Sequence, residues 1–186
     1  MKTLIGFFVV TMLLFASCAK EDLYPVRQDN LELKMASVPI PMKGDFCAVP
    51  DMTSDFILKP VPGIDPADPN SYVTSRMIIS GTGTHIGKVD AEESYYDVDV
   101  FELLLEAGVP FFYQSGTGNI VAANGDSFQY TWWAKASLPD LNYIGGIELQ
   151  GGTGKFKDCS GTLWMSGKFD EASRQNCWMV DGMMSL

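Results

Sequence analysis

The chain has 186 residues, of which 46% are hydrophobic, 12% aromatic and 19% charged. That length suits one domain with accessory segments, and that apolar share excludes a wholly disordered protein. The formal net charge of -10 argues against nucleic acid as a partner, because an acidic surface repels phosphate and gains nothing from counterion release.

Met1 and Lys2 make a short positive start, and residues 4–16 form an apolar run broken only by Gly6 and Thr11. A bilayer-spanning helix takes about 20 apolar residues, so this run is too short; its length and small-residue end are those of a secretory signal. Phe15-Ala16-Ser17-Cys18 resembles the lipobox of bacterial lipoproteins. The resemblance implies cleavage of a signal peptide, residues 1–17, before Cys18, with a lipid on the Cys18 thiol and acylation of the new amine. Several acyl chains anchor stably where one is marginal. Ala19, rather than Asp, behind the lipidated cysteine favours the outer membrane. Lys20-Glu21-Asp22 resembles an export signal that sends some Gram-negative lipoproteins to the cell surface, and reads equally as a solvated charged linker.

Residues 18–40 are polar or mixed, carry Pro25 and Pro39 and hold no sustained period of 3.6 or 2, so they are expected to be a lipidated tether. A flexible chain of about 20 residues stands a domain off by roughly 25 Å. The folded domain is expected over residues 41–186. Within it, Pro60, Pro62, Pro66 and Pro69, with Gly63, Asp65 and Asp68, exclude a helix or central strand and mark a surface loop over residues 60–70. A calcium site at Asp65 and Asp68 lacks the spacing and glycine of an EF-hand.

The rest consists of short runs rich in Val, Ile, Phe, Tyr and Trp, punctuated by Gly, Asn and Asp. Strands are predicted at residues 45–49, 72–80, 85–90, 109–114, 143–149, 161–169 and 176–184; residues 97–106 read as strand or helix. The best hairpin signal is Asn124-Gly125. A two-residue turn there pairs Val121 with Phe128 and Asn119 with Tyr130, and sets Phe128, Tyr130 and Trp132 as an apolar stripe opposite Ser127, Gln129 and Thr131. Asp126, directly after the turn, is expected to bond backbone amides. Eight or so short strands with close turns imply an all-β sandwich or barrel whose closure removes exposed edges.

Five segments carry a further resemblance: Pro41-Met42-Lys43-Gly44-Asp45-Phe46, Gly81-Thr82-Gly83-Thr84-His85-Ile86-Gly87-Lys88, Ala122-Ala123-Asn124-Gly125-Asp126, Gly151-Gly152-Thr153-Gly154-Lys155-Phe156 and Ser160-Gly161-Thr162-Leu163. Their ordered set resembles a small bacterial family of unknown function. Its barrel is similar to allene oxide cyclase and, more loosely, to dirigent proteins and calycins. This implies a single antiparallel, roughly eight-stranded calycin-like β-barrel with an apolar interior, and no known reaction, since fold does not imply function. The glycine-rich segments lack the features of a P-loop or dinucleotide fingerprint and read as tight rim turns.

His85 is the sole histidine, which excludes a multi-histidine metal site, and no cofactor, metal set or catalytic constellation is indicated. It reads as a histidine held by hydrogen bonds near a strand crossing, and is also a candidate ligand contact. Once Cys18 is lipidated, Cys47, Cys159 and Cys177 remain, enough for one disulfide at most. A last turn near Ala172 puts Cys177 beside about position 167, so a Cys159–Cys177 bond needs another register and the reading favours free thiols. An eight-stranded barrel is filled by side chains or just holds one small ligand. Aromatics at one mouth give the remaining candidates, Tyr113, Tyr130 and Trp132 beside His85. The function expected is therefore a surface-exposed, lipid-anchored outer-membrane protein that binds a small hydrophobic ligand, or an envelope protein or glycan, without catalysis. A cyclase- or isomerase-like pocket and an adhesive envelope module are the alternatives; exposed aromatics such as Trp133 would suit the latter.

Overall fold

The alternation read at Phe128–Trp132 runs through every long strand of the computed structural model. It describes residues 38–59, 65–138, 140–170 and 172–186, all in the unit Ala36–Leu186. The signal peptide, Cys18, the export segment and the tether up to residue 37 lie outside the described residues, as do residues 60–64 of the proline-rich loop. The elements are β1 (Ile40–Pro50), β2 (Phe56–Leu58), β3 (Tyr72–Thr74), β4 (Arg76–Gly83), β5 (Gly87–Lys88), β6 (Tyr95–Asp97), β7 (Val100–Glu106), β8 (Val109–Val121), β9 (Ser127–Ser137), β10 (Asn142–Gly152), β11 (Ser160–Asp170) and β12 (Gln175–Ser185).

Eight of these strands close an antiparallel barrel in the order β1-β12-β11-β10-β9-β8-β6-β4, and β4 returns to β1 by pairing Gly44–Pro50 with Met77–Gly83. The all-β barrel expected from the sequence is thus the fold. Period-2 side chains give it an apolar inside: Phe128, Tyr130, Trp132 and Ala134 of β9 are buried, as are Leu163 and Met165 of β11 and Trp178 and Val180 of β12. The outer wall carries charge, with Lys43 of β1 paired to Asp181 of β12 at 3.1 Å.

Several local expectations are refined. The segment over residues 97–106, open between strand and helix, is strand from Val100 to Glu106. β7 continues the line of β6 along β8 and turns back through Ala107 and Gly108, both at positive φ, as a two-residue hairpin. The predicted strand over residues 72–80 is two strands, β3 and β4. β3 pairs with β2, which the sequence reading did not include, as a separate hairpin.

The hairpin at Asn124 has a three-residue loop. The Gly125 amide donates to the Ala122 carbonyl and Ala122 to the Asp126 carbonyl, with Gly125 at φ +87. This type I turn closed by a left-handed glycine shifts the register by one. Phe128 therefore faces Ile120, and Tyr130 faces Gly118. The stripe itself stays inside. The Asp126 carboxylate accepts from the Asn124 side-chain amide at 2.8 Å instead of from backbone.

The free-thiol reading is also overturned for two of the three cysteines. Cys47 and Cys177 are direct cross-strand partners and form a disulfide, while Cys159 is a buried free thiol. Within the last hairpin Cys177 faces Lys168, not Cys159. Cys47 lies 130 residues away in sequence, and only barrel closure sets β1 beside β12.

Candidate functional site

The barrel is filled at one end and hollow at the other. At the filled end, Phe46, Ile79, Ile120, Phe128, Leu149, Leu163 and Val180 meet in the interior, and Phe156, fully buried in the turn after β10, packs edge-on against Phe128 at 5.2 Å. One layer along each strand, the filling stops. On β9 the next inward residues, Tyr130, Trp132 and Ala134, line a cavity of about 320 Å3, as do Ile147 of β10, Met165 of β11 and Trp178 of β12. Ligand sites generally range from about 300 to 1,000 Å3, so this one suits a small molecule. Lys59, Val73 and Thr74 around the β2–β3 hairpin and Leu141 of the β9–β10 turn stand at its mouth.

The volume arises from small residues facing large ones. Gly118 and Gly116 on β8 oppose Tyr130 and Trp132. A Cβ at Gly118 would collide with the Tyr130 ring, so glycine there is what lets the phenol lie across the barrel. Nearer the mouth, Ala134 and Ala136 leave space that larger side chains would fill. Tyr96 of β6 stands edge-on to Trp132 at 5.0 Å and to Trp178 at 6.0 Å, a T-shaped arrangement that holds the aromatic wall rigid.

The few polar groups are specific. The Tyr143 hydroxyl donates to the Asn176 side-chain oxygen at 2.6 Å, and the Asn176 amide donates to the Tyr96 oxygen at 3.0 Å. Trp132 donates its indole N–H to the Asp97 carbonyl at 3.1 Å. Tyr130 is 5% exposed, and its hydroxyl has no hydrogen-bond partner among the described residues. No fully enclosed side-chain polar atom there lacks a partner, so this oxygen meets open cavity. Burial pushes the Tyr96 phenol up to about 12, with the Asn176 bond partly opposing. Burial likewise raises Tyr130 well above the ordinary tyrosine value, reinforced by the nearby Tyr96. Tyr143 is raised by burial in the same direction. All three remain proton donors at neutral pH.

Of the four predicted ligand contacts, Tyr130 and Trp132 line the cavity. His85 sits at the other end of the barrel, on the exposed turn between β4 and β5 with φ +66, where its Nε2 donates to the Pro41 carbonyl at 3.2 Å. That bond holds the ring against Pro41 of β1. Tyr113 lies between the inward Phe112 and Gln114, opposite Glu102 and Lys135, and so belongs to the outer wall. Trp133 is also outside, half-buried against the exposed Trp164 at 6.2 Å.

Asn176 was missed. Its signal is a polar residue on the same period-2 face as Trp178 and Val180, which in a strand of this kind means a buried polar role. Among the described residues, no carboxylate or imidazole lines the cavity, and no group of His, Cys, Asp and Glu is placed to hold a metal ion. Comparison with protein-family models, with curated proteins and with solved structures finds no match to this chain.

Proposed function

We propose that this protein is a lipid-anchored lipoprotein of the outer membrane, exposed at the cell surface, whose barrel binds a small hydrophobic molecule without chemically changing it. The observation that carries the binding role is the half-hollow interior: a cavity of about 320 Å3 walled by aromatic and aliphatic side chains. A core selected only for stability closes such space, because each void forfeits dispersion contacts. Among the described residues, the lining offers hydrogen-bond donors and the amides of Gln114 and Asn176 but no carboxylate or imidazole for general acid–base work.

The Cys47–Cys177 disulfide supports the envelope location independently of the N-terminal segment, since such bonds persist in oxidising compartments and are rare in the cytosol. The charged outer wall suits a water-facing domain held by its anchor, not by its barrel.

Native mass spectrometry of protein taken gently from its own envelope tests the binding role. A co-purified small molecule is expected with the wild type and lost in Ala134→Phe, which places a ring in the cavity. No bound species in the wild type, or equal retention by the variant, counts against this site.

A further inference from the structure

The polar groups of the cavity specify more than size. Tyr130 lies deeper than Trp132 and Ala134 on β9, and its buried hydroxyl spends neither its proton nor its lone pairs on the described protein. Tyr96, which borders the same space, accepts from Asn176, so its oxygen is engaged as an acceptor while no acceptor for its own proton is found among the described residues. Asn176 is itself committed on both sides, to Tyr143 and to Tyr96, and holds the Tyr96 hydroxyl level with Phe169 and Leu141, on the mouth side. The Tyr130 hydroxyl is therefore the unspent donor at the apolar floor.

A donor that opens on a narrow apolar cavity is satisfied there only by water or by a ligand, and a ligand oxygen that accepts from it takes the place of that water. The charge of such a ligand is also constrained. Among the described residues, the only ionisable side chain on the lining other than the tyrosines is Lys59, which stands at the mouth and not at the floor. An ionised group carried to the floor would lose its water without gaining a counter-ion. Gln114, on β8 level with Ala134, offers a further amide nearer the mouth.

Resting on the binding role argued above, we propose that the ligand is a neutral, largely apolar molecule that enters with a carbonyl-type acceptor oxygen leading, and that Tyr130 receives that oxygen at the cavity floor. Its hydroxyl supplies recognition, and the aromatic wall supplies most of the contact area.

Three probes of nearly the same shape test this: 2-acetylnaphthalene, its deoxygenated counterpart 2-ethylnaphthalene, and the anion 2-naphthoate. Each is titrated calorimetrically into the full-length chain in lipid nanodiscs, with empty nanodiscs as the blank. The ketone is expected to bind about five- to tenfold more tightly than the hydrocarbon, as one net hydrogen bond allows, and the anion most weakly. Tyr130→Phe is expected to remove most of the ketone's advantage while leaving the hydrocarbon's affinity nearly unchanged, and that unchanged value also reports an intact cavity. Equal binding of ketone and hydrocarbon to the wild type overturns the proposal without any variant. So does tightest binding of 2-naphthoate, which would assign recognition to Lys59. Binding of none of the three overturns the cavity-binding role itself.

Discussion

Tyr96, Tyr130 and Tyr143 put three phenols into an apolar interior, and their titration becomes a property of the fold. An unfolded chain loses tyrosine protons near pH 10, whereas burial holds the Tyr96 proton up to about 12. Between those values the unfolded state ionises and the folded state does not. The stabilising contribution is therefore complete below about pH 10 and is lost as pH rises from there towards 12. Tyr96 alone accounts for roughly 2 to 3 kcal/mol over that window, and Tyr130 and Tyr143 act in the same direction. The urea midpoint, followed from about pH 8 to pH 12, should fall over this window, and Tyr96→Phe should flatten the fall. A wild-type midpoint that stays level to pH 12 contradicts the assignment. At this scale the sequence was partly readable: alternation placed Tyr130 and Trp132 inside. It could not distinguish Tyr113, one aromatic among many, because whether a side chain faces inward depends on a strand phase that Pro110 to Tyr113 alone does not set.

Turn chemistry shows the same limit among the elements. Asn124-Gly125 is the sequence's best two-residue turn signal, yet it forms a three-residue loop; Ala107-Gly108, a weaker signal, forms the two-residue hairpin. The flanking strands decide, since Phe128 and Tyr130 must face Ile120 and Gly118 to fit the interior. Gly125 has no neighbour within reach of an added Cβ, so Gly125→Ala should cost only the left-handed backbone penalty, about 1 to 2 kcal/mol by urea denaturation. Gly118→Ala should cost more, because its Cβ meets the Tyr130 ring. The reverse order would mean that the loop, not the β8–β9 packing, sets the register. The closing strand has its own device. A disulfide spanning 130 residues restricts the unfolded chain strongly, so Cys47→Ala with Cys177→Ala should lower stability by about 4 to 5 kcal/mol. A loss below about 1 kcal/mol would show that the β1–β12 pairing holds without it.

For the whole molecule, the address and the domain are separable claims with separable tests. Cys18→Ser should end acyl labelling and release the protein from membranes; continued labelling of the variant contradicts the anchor. Replacing Lys20, Glu21 and Asp22 by Ala should preserve lipidation but reduce protease accessibility on whole cells, and unchanged accessibility removes the argument for surface export. The sequence by itself determined the all-β class and the inward stripe of β9. Hydrophobic periodicity and turn residues are local, and local patterns survive without knowledge of neighbours. Only the tertiary structure decided the Cys47–Cys177 bond, the register of the β8–β9 hairpin, and that His85 and the cavity occupy opposite ends of the barrel. Each of these depends on closure, which joins residues far apart in the chain, and on the volumes of side chains that meet across the interior. A cavity is what those volumes fail to fill, and no local pattern records it.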